Sequence, residues 1–188
     1  MFVAGGDSHS PNGGAFGCFI AGFGATDMTA IAATGETWIN VPATFRVSWE
    51  GAFRDGVCAK DAMLFLCREI GMENHGLVIE YAGAAVRAMS MAERMTLCNM
   101  AAELGADTAI IEPDAATLSH IRAHGGEVDD AAIAQWRSDP GAAIPQARSF
   151  DAALLVPQIA APHSPGNSSA VGDFIGTRID QAYIGACV

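Results

Sequence analysis

Residues 44–49 alternate strictly. Phe45, Val47 and Trp49 fall on one face and Thr44, Arg46 and Ser48 on the other, which is the period of a half-buried strand. The pattern then changes to helical spacing. Met63, Leu64, Cys67 and Ile70 form an apolar stripe that predicts a helix over 59–70, with Gly71 as a left-handed stop. Residues 77–81 are a β-prone run closed by Gly83. Ser90 and Glu93 have the spacing of a capping box, and the helix they open is predicted to run to 104, before Gly105. Residues 108–111 read as a strand. Asp114 is placed to cap a helix reaching 124, where Gly125-Gly126 breaks it.

The flanks are less regular. Gly13, Gly14, Gly17, Gly22 and Gly24 crowd one stretch and imply tight turns, followed by a short helix over 26–35. Residues 127–149 are polar and read as a connection with one helical piece around 131–136. A strand is predicted over 152–159, bent by Pro157, then a loop over 162–167, a helix start at 173–177 and a strand at 181–184. Strands alternate with helices, so the class is α/β.

Composition narrows the partners. Ten basic against 21 acidic side chains give a formal net charge of −11, which argues against nucleic acid or a polybasic membrane anchor. Hydrophobic residues make up 51% and charged residues only 16%, against about 25% in an average domain. Part of the surface is therefore expected to be covered by something else. No window carries about 18 uninterrupted apolar residues, so no membrane helix is expected. The first residues lack the basic and apolar regions of a secretion signal. Five cysteines without a C-x-x-C fit a reducing cytoplasm better than a disulfide framework.

Three places carry candidate chemistry. The run from Gly6 to Gly14 packs Asp7, Ser8, His9, Ser10 and Asn12 between glycines. It suits either a proton-transfer loop around His9 or a turn with local backbone bonds. Asn99 and Glu103 lie at i, i+4 on a nearly all-apolar helix; a buried Glu there needs a partner, and an imidazole is a natural one. Cys187, in a Gly-Ala-Cys turn, is a possible cluster ligand, but only one. His120 and His124, also i, i+4, have no acidic third ligand at a typical spacing.

Together these segments resemble the large-subunit family of aconitase and 3-isopropylmalate dehydratase, in order and over nearly the whole chain. The stretch 6–14 is similar to the family's Asp-Ser-His-Thr signature and the Gly-rich turn after it. Residues 57–61, with Lys60-Asp61, resemble its Lys-Asp helix start. Residues 78–83 and 88–100 resemble its central domain, nearer the 3-isopropylmalate dehydratase branch, and 184–187 resemble the segment of the first cluster cysteine. The resemblance implies partial three-layer α/β/α aconitase-type domains. Residues 1–43 would end the first, 44–149 form the second and 150–188 open the third. It implies a hydro-lyase that moves a hydroxyl between neighbouring carbons of a hydroxy-di- or tricarboxylate, with a [4Fe-4S] cluster and a separate small subunit as partner. Asp7, His9 and Glu103 would be catalytic, Ser8, Asn12 and Asn99 would lie near substrate or cluster, and Cys187 would ligate iron. The chain departs from the family in lacking the downstream C-x-x-C, and Val188 stands where Thr is usual. It therefore resembles the middle of a longer subunit, and alone it is expected to hold no stable cluster. Aconitase, homoaconitase or another dicarboxylate hydratase, and a non-catalytic remnant of the fold, are the alternatives.

Overall fold

A computed structural model describes residues 2–129, 131, 133 and 135–185. Its centre is a four-stranded, all-parallel sheet in the order β5-β4-β3-β6, where β3 is Ala43–Glu50, β4 Leu77–Ala82, β5 Thr108–Ile111 and β6 Gln146–Asp151. Helices α2 (Ala59–Glu69), α3 (Ala84–Ala88), α4 (Met91–Asn99) and α5 (Ala115–Ala123) connect and flank it. This is the α/β architecture that the alternation implies.

The alternation in β3 has the predicted consequence: Phe45, Val47 and Trp49 are buried. Trp49 meets Phe53, Phe65 and Phe150 at ring-centroid distances of 5.3, 5.6 and 5.2 Å. The opposite face of β3 is also useful. Arg46 stands directly across from Glu80 on β4 and donates to both carboxylate oxygens, at 3.0 and 3.1 Å. That pairing lets a glutamate sit in the middle of a buried strand. The capping residues also behave as their types require. Ser90 Oγ accepts from the Glu93 amide, and Asp114 Oδ1 accepts from the Ala116 and Thr117 amides.

Several expectations are corrected. The polar stretch after Glu127 contains β6, an edge strand whose residues are mostly exposed. It is held by its backbone ladder to β3 and so shows little apolar pattern. Residues 152–154 form a 3-10 turn capped by Asp151, and only Gln158–Ala160 (β7) is a strand, pairing antiparallel with β8, Ser168–Ala170. The Asp151 cap and Pro157 together leave no room for a longer strand. Residues 181–184 form no strand, and 171–174 are a 3-10 turn. The helical piece expected at 131–136 lies partly outside the described residues. Helix α4 stops at Asn99, because the backbone tightens to i→i−3 bonds at Ala101 and Gly105. Near the N-terminus the Gly-rich stretch adds a parallel pair, β1 (Phe2–Gly5) and β2 (Phe19–Gly22), before α1, Ala25–Thr34.

Asp61, in the first turn of α2, ties the strands after residue 157 to the core. It is 8% exposed; Oδ2 accepts the Cys58 amide and Oδ1 the Gln158 amide, both at 2.7 Å. Asp61→Asn keeps the shape but turns a donor toward one of these amides. The expected cost is about 1–3 kcal/mol, read by urea unfolding, with faster hydrogen exchange at Gln158. Unchanged exchange there would contradict the tie.

Apolar side chains also reach the surface. Trp38 is 81% exposed, Val41 89% and Ile175 88%, and α1 buries no residue. No helix among the described residues is long and apolar enough to cross a membrane.

Candidate active site

The Gly-rich loop is built around a 3-10 turn, Ser10–Phe16, that starts with Pro11 in its first turn and ends at left-handed Gly17. Gly14 sits so close to β5 that a Cβ would overlap the Ala109 carbonyl oxygen, so the loop can press onto the sheet only because this residue has no side chain. Asn99, at the end of α4, donates from Nδ2 to the His9 carbonyl at 3.4 Å. The turn is thus held from below by β5 and from the side by α4.

This holds His9 against Glu103, 94 residues away in sequence, with Nε2 3.3 Å from Oε1. On the other side of the ring, Nδ1 lies 3.0 Å from Ser8 Oγ. A carboxylate can only accept, so the network assigns the ring proton to Nε2, and in the neutral ring the Ser8 hydroxyl donates to Nδ1. Asp7 Oδ1 accepts the His9 amide at 2.7 Å and lies 4.0 Å from Nδ1. The result is an ordered line, Ser8 Oγ–His9–Glu103, with its Ser8 end exposed and its Glu103 end 30% exposed.

The seven residues singled out in the sequence fare differently. Asp7, Ser8, His9, Asn99 and Glu103 are brought together. Asn12 is exposed on the turn; its amide donates to the His9 carbonyl, and no side-chain hydrogen bond joins it among the described residues. Cys187 lies outside the described residues.

Glu103 also lines a cavity of about 460 Å³ with Cys58, Lys60, Asp61, Met100 and Gln158. Sequence reasoning missed Gln158 entirely, since nothing in a short edge strand announces it. A second cavity, about 240 Å³, lies at the carboxyl ends of β4 and β5. Its charges are largely matched within it, Arg94 to Asp114 and Arg137 to Glu112.

The cysteines describe a different environment from that of a cluster. Burial, and then the charge of Glu103, push the Cys67 thiol up to about 11; burial pushes Cys98 far up as well. Both are core thiols: Cys67 and Cys98 are buried among apolar side chains. Among the described residues no three His, Cys, Asp or Glu side chains converge to hold a metal ion. The described residues thus do not fit a [4Fe-4S] cluster by themselves.

A parallel α/β sheet with an imidazole–carboxylate pair on its flank defines a class capable of acid–base chemistry. The family follows from sequence. The model of the aconitase family (aconitate hydratase) matches residues 1–186, and the chain belongs to that family. It is 44% identical to the methanogen homoaconitase large subunit of Methanocaldococcus jannaschii, over 100% of this chain and 46% of that protein. It is 42% identical to 3-isopropylmalate dehydratase large subunit 1 of Methanopyrus kandleri, over 98% and 44%. It is 40% identical to the 3-isopropylmalate dehydratase large subunit of Nitratidesulfovibrio vulgaris, over 98% and 43%. The chain spans under half the length of these curated relatives.

Proposed function

We propose that this chain is part of the large subunit of an iron–sulfur hydro-lyase. Its reaction would isomerise a hydroxy acid by dehydration and rehydration, with 3-isopropylmalate, in leucine biosynthesis, as the leading substrate. Homoaconitate or another dicarboxylate hydratase substrate is the second reading, since relatives of both names match at about the same identity, 44% and 42%. The observation that carries the proposal is the His9–Glu103 pair. Two segments far apart in sequence are folded so that an imidazole meets a carboxylate beside a cavity.

The residues suggest their own roles. Ser8 Oγ is the exposed end of the line and can pass a proton to His9 Nδ1. His9 can in turn release the Nε2 proton to Glu103 Oε1, and the reverse sequence restores the start. Such a line serves both halves of a dehydration–rehydration. Hydroxide leaving needs a proton, and water adding back must lose one. Glu103 also fixes the ring tautomer, Asn99 holds the His9 backbone, and Asp7 fixes the turn. In the complete enzyme the cluster would supply Lewis acidity toward the substrate hydroxyl. Its ligands would include Cys187 and cysteines beyond this sequence. Residues 1–43 are proposed to belong to the first family domain, 44–149 to the second and the remainder to the third, with β6 completing the second domain's sheet. The exposed Trp38, Val41 and Ile175 would then be covered by the rest of the large subunit and by the small subunit.

A direct test is anaerobic reconstitution of the 188-residue chain with iron and sulfide. The expected result is less than a stoichiometric four-iron cluster and no turnover. A full cluster with turnover would overturn the proposed incompleteness. Joined to the remaining large-subunit segments and a small subunit, the same residues are expected to support isomerisation of 3-isopropylmalate. Turnover of homoaconitate alone would select the second reading.

A further inference from the structure

Glu103 does little to fix its own position. Its side chain makes one hydrogen bond among the described residues, the 3.3 Å contact to His9 Nε2. Its placement must therefore come from the backbone. After α4 the chain makes one further turn, residues 100–105, and Glu103 lies in it. The turn closes as a Schellman arrangement. The Gly105 amide donates to the Ala102 carbonyl at 3.0 Å and the Ala106 amide to the Ala101 carbonyl at 3.1 Å, with Gly105 left-handed at φ 70°. Ala101 and Leu104 in this turn have no exposed surface. The carbonyl of Leu104, the residue after Glu103, is left outside that closure. It needs a donor from elsewhere, as the last carbonyls of any helix do.

Asn74 supplies the donor. It is buried, 7% exposed, in the loop between α2 and β4. Its Nδ2 donates to the Leu104 carbonyl at 2.8 Å and to the Gly71 carbonyl, just beyond α2, at 3.1 Å. Its backbone amide also donates to the Leu104 carbonyl, at 3.3 Å. One nitrogen with two hydrogens thus serves carbonyls left over after two helices. The task selects the residue: Asp has the same shape but accepts when ionised, and Ser carries one hydrogen. The loop also presses close, since a Cβ on Gly105 would overlap the Met72 carbonyl oxygen. The acid–base pair is thereby held from two sides. Asn99 grips the His9 half through the His9 carbonyl. Asn74 grips the Glu103 half one residue beyond the carboxylate.

We propose that Asn74 is a positioning residue of this pair: by holding the Leu104 carbonyl it keeps the Glu103 carboxylate at His9 Nε2. Its consequence for turnover rests on the hydro-lyase reading; the positioning itself does not.

Two measurements test it. The first needs no turnover. In the 188-residue chain, nuclear Overhauser contacts between the His9 ring and the Glu103 side chain are expected in the wild type and lost in Asn74→Ala. The contacts between β3 and β4 should remain, because the Gly76 amide still donates to Asp107 Oδ1 and the Asp107 amide to the Leu77 carbonyl. His9–Glu103 contacts that persist in Asn74→Ala would overturn the proposal. The second uses the complete cluster-loaded enzyme. Asn74→Ala is expected to lower kcat about ten- to hundredfold with KM little changed, the scale of a displaced reacting group. Asn74→Asp, which keeps the shape and turns acceptors toward two carbonyls, should do at least as much harm. A packing role would spare it, so wild-type kcat in Asn74→Asp would overturn the proposal. In a Glu103→Ala background, Asn74→Ala should cost nothing more, because no carboxylate is left to position. An undiminished further loss there would show that Asn74 acts by another route. The two readings fail separately. A completed protein that isomerises no hydroxy acid removes the enzyme assignment, and the Overhauser contacts still decide Asn74. Turnover with additive losses removes the Asn74 assignment alone.

Discussion

Arg94→Met is expected to destabilise the fold by about 3 kcal/mol, the usual cost of removing one partner from a buried ion pair. Arg94 has no exposed side-chain surface. It forks onto Asp114, Nη1 to Oδ1 and Nη2 to Oδ2, both at 2.8 Å, and Nη2 also donates to the Arg87 carbonyl at 2.7 Å. One side chain thus joins α4, the end of α3 and the N-cap of α5. Its loss leaves the Arg87 carbonyl without this donor and a carboxylate with only its two capping amides. The measurement is a shift in urea midpoint at constant slope. A shift within error of wild type would mean that the pair contributes orientation and not stability.

The same pair fixes a pH dependence. Burial alone would raise the Asp114 carboxyl. The Arg94 guanidinium, by hydrogen bond and charge, and the Thr117 and Ala116 amides outweigh this and hold it below the usual carboxylate value of 3.8. A group depressed in the folded state stabilises above its unfolded value and loses that contribution as pH falls through its folded value. The wild-type chain should therefore lose stability from Asp114 below about pH 4. Arg94→Met should show less of that acid-dependent loss. Identical acid limbs in the two proteins would refute the assignment.

What the sequence reveals about this fold divides by mechanism. β3 is legible because one of its faces is buried and the other is not, so side-chain chemistry records its period. Helices α4 and α5 announce their starts through Ser90, Glu93 and Asp114, because capping is a contact between residues two or three apart. β6 is not legible. Its sequence, Gln146-Ala147-Arg148-Ser149-Phe150-Asp151, has no apolar alternation, and only the backbone ladder to β3 makes it a strand. The end of α4 is hidden for a related reason: Ala101, Ala102 and Leu104 all favour helix, yet the turn at Gly105 tightens the chain early. In the site, the need of Glu103 for a partner could be argued from an acidic residue among apolar neighbours, and the family resemblance supplied His9 as that partner.

Glu103→Gln is expected to lower kcat about 10²–10⁴-fold in the complete cluster-loaded enzyme, the contribution typical of a positioned acid–base group. KM should change little. The substitution is isosteric. A carboxamide oxygen can still accept from His9 Nε2, so the ring, the Asn99 contact and the loop should stay in place. What it cannot do is take the proton. Oε2 has no hydrogen-bond donor of its own among the described residues. Glu103→Ala should do at least as much harm and should also loosen His9, because the 3.3 Å contact is lost altogether. The comparison separates two roles. If Glu103 only orients the imidazole, Gln should restore most of the activity that Ala removes. If Glu103 receives the proton, both variants should be deeply impaired. Near-wild-type kcat in Glu103→Gln would exclude proton transfer to this carboxylate. The Ser8–His9–Glu103 line would then be a positioning network, and the proton would have to travel through residues outside it.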